Sequence, residues 1–504
     1  MVKMNMGNTN IDCILSTSQM ARADQIAIAD LRKSGRGGAD LMEQAGLCVV
    51  REITKNCSGS NALVLCGSGN NGGDGFVIAR RLKEAAWNVQ IALLGAVESL
   101  QGDAYYMAKK WGGEILPLSK DVVQNQNVIV DAIFGTGLSK DITGIVKETL
   151  EAANQSKVIK IAVDIPSGIK GDTGEVLGLA FTADKTVTFC RMKPAHILYP
   201  GKEYCGELIV ADIGISDRVV GEVEPNIFIN SPRLWKKTFP QPSGSGHKYN
   251  RGHAVIVSGD SLHTGASRLA AVAAQRIGAG LVSVSSPQDA LMVHAAHLTS
   301  IMIKRRSAIV EDLTDQRLNA WCIGPAAGLT NETKQNVLDI LGADKKIVLD
   351  ADALSLFENA PRELFDVIKS SENDECVLTP HAGEFARLFP YLKKLDKITA
   401  ARSAAELSGA VIIFKGPDTV VAAPDGRAVI SNNAPPTLAT AGSGDVLAGI
   451  VTGLLAQNMN VFDAACAAVW IHGECANESG LGLISEDLEK KIPKIITALL
   501  CHLM

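Results

Sequence analysis

The stretch Leu63-Val64-Leu65-Cys66-Gly67-Ser68-Gly69-Asn70-Asn71-Gly72-Gly73-Asp74-Gly75 decides how the chain reads. An apolar run ends in a glycine-rich turn. From Asp74 to Ala86 a helical pattern follows, with Phe76, Val77, Ala79 and Leu82 on one side. Strand, tight turn and helix in that order open a parallel α/β sheet. Nearly continuous apolar runs recur at Ala62–Cys66, Val89–Leu94, Val128–Ala132 and Ile159–Val163, as expected of strands covered on both faces. Thr17–Ala29 and Asp40–Ile53 read as a helical pair ahead of them.

Downstream, the pattern breaks at Phe239-Pro240-Gln241-Pro242-Ser243-Gly244-Ser245-Gly246, rich in Pro, Gly and Ser and without periodicity. The expected organisation is a first domain over 1–230, a linker over 231–246 and a second domain over 247–504. The second half holds a new series of strands, Ala254–Ser258, Leu281–Ser285, Trp321–Ile323, Lys346–Leu349, Cys376–Leu378 and Val411–Lys415, with helices between. The halves share no motif.

The 504 residues allow two to four domains at roughly 100–200 residues each. Apolar residues make up 46% and charged residues 20%, the balance of an ordinary globular protein. Residues 1–240 hold 26 Lys+Arg and 26 Asp+Glu. The remainder holds 49 − 26 = 23 against 54 − 26 = 28, so the net charge of −5 sits in the second half. No basic field exists to hold a nucleic-acid backbone. Eleven scattered cysteines without a CxxC pair argue for a reducing compartment and against a disulfide framework or zinc ribbon. No signal-peptide pattern and no apolar run of about 18 residues is present. A cytoplasmic location without membrane association is expected.

Gly67, Gly69 and Gly72 formally match the dinucleotide fingerprint GxGxxG. That fingerprint needs an acidic residue ending the second strand, which here ends Leu93-Leu94-Gly95. The turn instead carries Asn70, Asn71 and Asp74, and alone it also reads as a glycine loop with Asn caps. Two further strand ends are polar: Asp131-Ala132-Ile133-Phe134-Gly135-Thr136-Gly137-Leu138 and Asp164-Ile165-Pro166-Ser167-Gly168. In a parallel sheet such ends share one edge, which would gather Asn71, Asp131, Asp164 and Ser167 in one crevice.

Over roughly residues 10–225 this combination resembles the NAD(P)H-hydrate epimerase domain of the bifunctional NAD(P)H-hydrate repair enzymes. The resemblance implies substrate contacts by Asn70-Asn71-Gly72-Gly73-Asp74, by Gly135-Thr136-Gly137-Leu138-Ser139-Lys140-Asp141 and by Asp164, the candidate for proton handling. It also implies a K⁺ ion on Asn71, Asp131 and Ser167, an all-oxygen set suited to a hard cation.

The strongest motif of the second half is Thr440-Ala441-Gly442-Ser443-Gly444-Asp445 before the apolar run Val446–Leu455. Glycines at a helix N-terminus offer N–H donors to a phosphoryl group, and Asp445 beside them can accept a hydroxyl proton. The structural alternative is an ordinary acid in a first helical turn. No Walker A loop is present. Other segments follow strands in order: Gly324-Pro325-Ala326-Ala327-Gly328, Asp350-Ala351-Asp352, Thr379-Pro380-His381-Ala382-Gly383-Glu384-Phe385 and Lys415-Gly416-Pro417-Asp418-Thr419. The GxGD helix resembles the ribokinase-like superfamily. Together, over about residues 240–500, the segments resemble the ADP-dependent NAD(P)H-hydrate dehydratases.

That resemblance implies nucleotide contacts by Lys415, Gly416, Pro417, Asp418 and Thr419, and by Pro435-Pro436-Thr437-Leu438-Ala439-Thr440-Ala441-Gly442-Ser443-Gly444. It puts Gly328, His381, Ala382, Gly383, Glu384, Phe385, Ala386, Arg387 and Asp445 toward the hydrated dinucleotide, with Asp445 catalytic, and Mg²⁺ near Glu384 through water. Ala382 departs from the family, where Pro is common, and the Pro325-Ala326-Ala327 approach to Gly328 is poorer in glycine. From the residues alone, His381 reads equally as a substrate contact or a loop hydrogen-bonder. His294 and His297 read as surface residues, and His472 and Cys475 as core.

The expected fold is thus α/β in two domains, a Rossmann-like doubly wound sheet followed by a ribokinase-like α/β sandwich. The expected chemistry is epimerisation of hydrated NADH and NADPH (NADHX and NADPHX), then ADP-driven dehydration, by a homo-oligomer using K⁺ and Mg²⁺. A sugar or hydroxymethylpyrimidine kinase fused to a nucleotide-binding regulatory domain is the rival enzyme. A first domain that only binds a nucleotide or a protein is the non-enzymatic rival.

Overall fold

A computed structural model describes residues 3–4, 12–57, 59–242, 244, 246–343, 345–371 and 375–501. The chain divides into two compact units, Met1–Ile227 and Phe228–Met504. Each is α/β.

In the first unit the strands are β1 (Asn61–Cys66), β2 (Asn88–Leu93), β3 (Ile115–Pro117), β4 (Val128–Ala132), β5 (Ile159–Val163), β6 (Lys185–Phe189) and β7 (Glu207–Ala211). They lie in the order β7-β6-β5-β4-β1-β2-β3, with every described neighbour parallel, and Lys3–Met4 pairs outside β7. The order reverses between β1 and β4, so the carboxyl ends of these strands splay apart into a crevice. Leu63, Leu65, Ile129 and Ala162 pack with Val146, Leu150 and Ala153 of the helix Gly144–Gln155. The helix Asn70–Glu84 lies on β1 and β4, so close that a Cβ on Gly75 would press on Cys66 and Ala132.

The glycine turn expected before Asp74 is itself helical from Asn70. Gly72 is required there because a Cβ would strike the Gly67 carbonyl. The helical pair runs Thr17–Arg32 and Gly38–Asn56. Strand β6 escapes the apolar-run reading because it is Lys-Thr-Val-Thr-Phe. Thr186 and Thr188 are nevertheless fully buried, and the Thr186 hydroxyl donates to the Cys205 carbonyl at 2.7 Å.

The second unit contains β8 (Ile227–Ile229), β9 (His253–Val257), β10 (Leu281–Ser286), β11 (Met302–Arg305), β12 (Ala320–Ile323), β13 (Lys346–Leu349), β14 (Cys376–Leu378), β15 (Val411–Phe414), β16 (Val420–Ala422) and β17 (Ala428–Ile430). Their order is β11-β10-β9-β12-β13-β14-β15-β16-β17-β8, parallel from β11 to β15 and antiparallel from β15 to β17. Ala254, Ile256, Cys322, Val348, Val377 and Ile413 form one face, buried with the helices Thr264–Arg276, Ser443–Ala456 and Val461–Ser479. The helices Asn331–Gly342 and Lys397–Ser408 pack against strands β13, β15 and β16 from outside that cluster.

The stretch expected as linker does not behave as one over its first part. Trp235 is fully buried, packs edge-on to Trp470 and donates to Asn230 at 3.1 Å; Asn230 donates to Ser431 and to the Cys466 carbonyl. Trp235 and Phe239 therefore belong to the core of the second unit. Of the Pro/Gly/Ser stretch, Ser243 and Ser245 lie outside the described residues.

Candidate active sites

Three strand ends of the first unit open on one cavity of about 490 Å³. Asn70, Asn71 and Asp74 reach it from the first helix after β1, Gly135–Leu138 from the loop after β4, and Asp164 from the end of β5. Asp164 sits at φ +64°. Its Oδ1 accepts from the Lys193 ammonium at 2.6 Å and from the Thr188 hydroxyl at 2.8 Å. His196 accepts the Lys193 amide N–H on Nδ1, so its Nε2–H donates to the Asp164 carbonyl at 2.8 Å. Burial alone would raise the Asp164 carboxyl, but Lys193 outweighs it and holds the group below the usual carboxylate range. Lys193 and Thr188 thus hold Asp164 as an anion.

Asp131 and Ser167 come together under these loops and do not line the cavity. Asp131 accepts the Ser167 hydroxyl and amide at 2.7 Å each and the Ile133 amide at 3.2 Å, while Ser167 accepts the Phe134 amide at 2.9 Å. Asp131 is fully buried, and among the described residues no cationic side chain pairs with it. Burial lifts it to about 6, against those hydrogen bonds. The Asn71 amide lies against Gly135, with its Nδ2 buried and unpartnered. An all-oxygen set with a single unpaired buried carboxylate fits a monovalent cation. Gly72 and Gly73 are buried packing positions. Ser139, Lys140 and Asp141 are exposed and outside the cavity lining.

Sequence reading missed Asp24, Lys193 and His196. Lys193 and His196 follow β6, the next strand end in the series, and that position is the signal that could have found them. Asp24 lies within the helix Thr17–Arg32 and reaches the cavity by tertiary packing, which leaves no local signal.

In the second unit the carboxyl ends of β13, β14 and β15 meet the N-terminus of the helix Ser443–Ala456. Asp350 accepts from Thr379 at 2.7 Å and from the Lys415 ammonium at 2.8 Å, and the same ammonium lies 3.9 Å from Glu384. Burial would lower the Lys415 ammonium, but Asp350, Glu384 and Asp445 together raise it. Gly442, at φ +83°, begins the helix without a side-chain cap, so the Gly444 and Asp445 amides stay available to an anion, while the Ser443 amide donates to Thr440 at 3.4 Å. A Cβ on Gly444 would stand 3.5 Å from the Lys415 ammonium, which brings turn, cation and Asp350 into one place. Burial, then Asp350, raises Asp445 to about 6, with Lys415 opposing. That suits a base that is ionised at neutral pH yet still basic.

Strain marks the neighbouring strand ends: Ala326 at φ +51° and Ala351 at φ +45° flank the Gly328 amide, which donates to Asp352 at 2.9 Å. Lys397, another residue the sequence did not flag, pairs with Asp418 and steadies the Lys415–Thr419 loop. His381 caps the helix Ala382–Leu388. Its Nδ1 accepts the Gly383 and Glu384 amides, and its own amide donates to Glu384 at 2.8 Å. That resolves the loop role in its favour while leaving the ring exposed. Glu384 thus serves the cap and lies 3.9 Å from the Lys415 ammonium. Among the described residues no three His, Cys, Asp or Glu gather to hold a metal. His294, expected at the surface, is fully buried and bonded to Ser258 at 2.8 Å, whereas His297 is exposed. His472 and Cys475 are buried.

Two family models match the chain. One is described as YjeF-related protein N-terminus, over residues 38–195, and the other as NAD(P)H-hydrate dehydratase, over 254–496. The bifunctional NAD(P)H-hydrate repair enzyme of Moorella thermoacetica is 34% identical over 92% of both chains. The chain belongs to this family. The enzyme of the same name from Thermofilum pendens is 33% identical over 95% of this chain and 97% of its own. A solved ADP/ATP-dependent NAD(P)H-hydrate dehydratase from Bacillus subtilis, co-crystallised with ATP/Mg²⁺, is similar at 27% identity and a TM-score of 0.47. It covers 54% of this chain and 98% of that one.

Proposed function

We propose that this chain repairs hydrated NADH and NADPH in two steps: the first unit interconverts the two epimers at the hydrated ring carbon, and the second removes the hydroxyl of one epimer at the expense of ADP. Full-length membership of the repair-enzyme family carries this reading. The second unit supplies the matching chemistry. Asp445 takes the proton of the ring hydroxyl as its oxygen attacks the β-phosphorus of ADP, and AMP leaves. Lys415 and the amides of Gly444 and Asp445 stabilise the transferring phosphoryl group. The ring nitrogen lone pair then expels phosphate, and loss of a ring proton restores NADH or NADPH. Hydroxide is a poor leaving group at neutral pH; phosphate is a good one.

In the first unit Asn71, Asp131 and Ser167 would hold K⁺. Such a cation supplies the positive charge that the buried Asp131 lacks and orders the loop after β4. Mg²⁺ would sit near Glu384 through water, and no step is routed through it. All eleven cysteines are free, and no described helix is long and apolar enough to cross a membrane. A cytoplasmic location and a homo-oligomeric assembly are part of the proposal. The test incubates the full chain with chemically hydrated NADH and either ADP or ATP. Return of reduced-nicotinamide absorbance with AMP and phosphate is expected. Formation of a stable phosphorylated product in its place would favour the kinase alternative.

A further inference from the structure

The cavity of the first unit is unbalanced in charge. Asp24, Asp74, Asp103 and Asp164 line it against one cation, Lys193, and that cation is committed to Asp164 at 2.6 Å. Asp74 is held on the helix Asn70–Glu84 with no ion-pair partner among the described residues. Carboxylates gathered around a single, already paired ammonium favour keeping a proton on one of them. Asp74 carries neither an ion pair nor a side-chain hydrogen bond among the described residues, and it stands on the same strand-end turn as Asn70 and Asn71. We propose that Asp74 is the general acid of the epimerisation, and that Asp164 is the fixed anion that stabilises the cation formed on the substrate ring.

This rests on the epimerase reading of the first unit and assigns two of its four carboxylates opposite duties. Asp74 gives its proton to the ring hydroxyl, the C–O bond breaks, and water leaves. The lone pair of the adjacent ring nitrogen forms the C=N⁺ bond, and the new positive charge faces Asp164. Water then adds to the C=N⁺ carbon from the other face, and its surplus proton returns to Asp74. No oxidant, reductant or co-reactant is consumed. Burial, then Asp164 and Asp24, push the Asp74 carboxyl well above the ordinary range, while Asp164 is held below it. Two like groups set apart by their surroundings divide acid and anion duties in this way.

The groups facing Asp74 are Asp24 on the helix Thr17–Arg32, Asp164 and Lys193 at the ends of β5 and β6, and Cys66 on β1. The experiment uses the full chain with one purified epimer of hydrated NADH, no ADP, constant potassium and a range of pH. Interconversion is followed by chromatographic separation of the epimers. Wild-type interconversion is expected to decline on the alkaline side as Asp74 loses its proton. Asp74→Asn should lower the rate at least about 100-fold, with ADP-driven dehydration of the other epimer retained. Asp24→Asn removes a neighbouring negative charge and should move the alkaline decline to lower pH. An Asp74→Asn rate within threefold of wild type, roughly, given the size of general-acid effects, overturns the assignment. Should that variant not fold, an alkaline decline that Asp24→Asn leaves unmoved overturns it. No interconversion by the wild type at any pH would sink the epimerase reading itself, a separate outcome.

Discussion

Replacing Asp445 by Asn separates stability from chemistry in the second unit, because this carboxylate is costly to the fold. Its carboxyl is raised to about 6 from an ordinary 3.8, by burial first and then by Asp350. A folded value above the unfolded one means that the fold binds the proton more tightly than the open chain does. Below pH 4 both states are protonated and nothing is lost. As pH rises through the folded value the fold must carry an ionised, half-buried group, and stability falls. The full penalty stands above about pH 7. A shift of about two units corresponds to about 3 kcal/mol at 1.36 kcal/mol per unit, an upper bound for what Asn recovers. Hydrogen exchange along the helix Ser443–Ala456 in the full chain should therefore be slower in the variant at pH 8 and equal to wild type at pH 4. The same change removes the base, and dehydration should fall at least about 100-fold while interconversion of the epimers persists. Wild-type dehydration itself should decline below about pH 6, as Asp445 gains its proton. Two results would refute the reasoning: near-normal dehydration by the variant, or a helix less protected at pH 8 than in wild type.

Two other changes probe the first unit and the boundary. Asp131→Ala should slow interconversion and remove its dependence on potassium over a bulky organic cation at equal ionic strength; equal wild-type rates in both salts would leave Asp131 as a purely structural knot between β4 and the Ser167 loop. A fragment starting at Glu224 should be soluble and dehydrate one epimer. One starting at Ser243 should aggregate, since it loses Asn230, Trp235 and Phe239 from the core at a cost of about 3–5 kcal/mol for the tryptophan alone; comparable yield and thermal stability of the two fragments would contradict this.

Strand ends were legible because a parallel sheet confines its ligand edge to one set of termini. Asp164, Asn71 and the Gly135–Leu138 loop all reach the cavity from strands that read as apolar runs. The same logic failed at β6, where buried threonines satisfy their hydroxyls within the fold and so mimic a polar segment. Without β6, the pattern gives no sign of Lys193 and His196, the groups that surround Asp164. Its role depends on an ammonium 29 residues away at 2.6 Å, which no local pattern encodes. Asp445 was legible for the opposite reason. Helix start, glycines and acid are contiguous in the chain, and only its partner Asp350 comes from elsewhere.

The boundary was misread through composition. Pro, Gly and Ser after Phe239 describe a break in periodicity, and the reading carried that break back to Ser231. Two aromatics lie in the part that was carried back, in a chain with only 5% aromatic residues. An isolated tryptophan in a true linker would expose a large apolar surface with nothing to cover it. Trp235 instead covers Trp470, which lies on a helix more than two hundred residues later. Aromatic scarcity is thus the signal that puts Trp235 and Phe239 in the second unit, which begins at Phe228. The difference between the Glu224 and Ser243 fragments measures that signal directly.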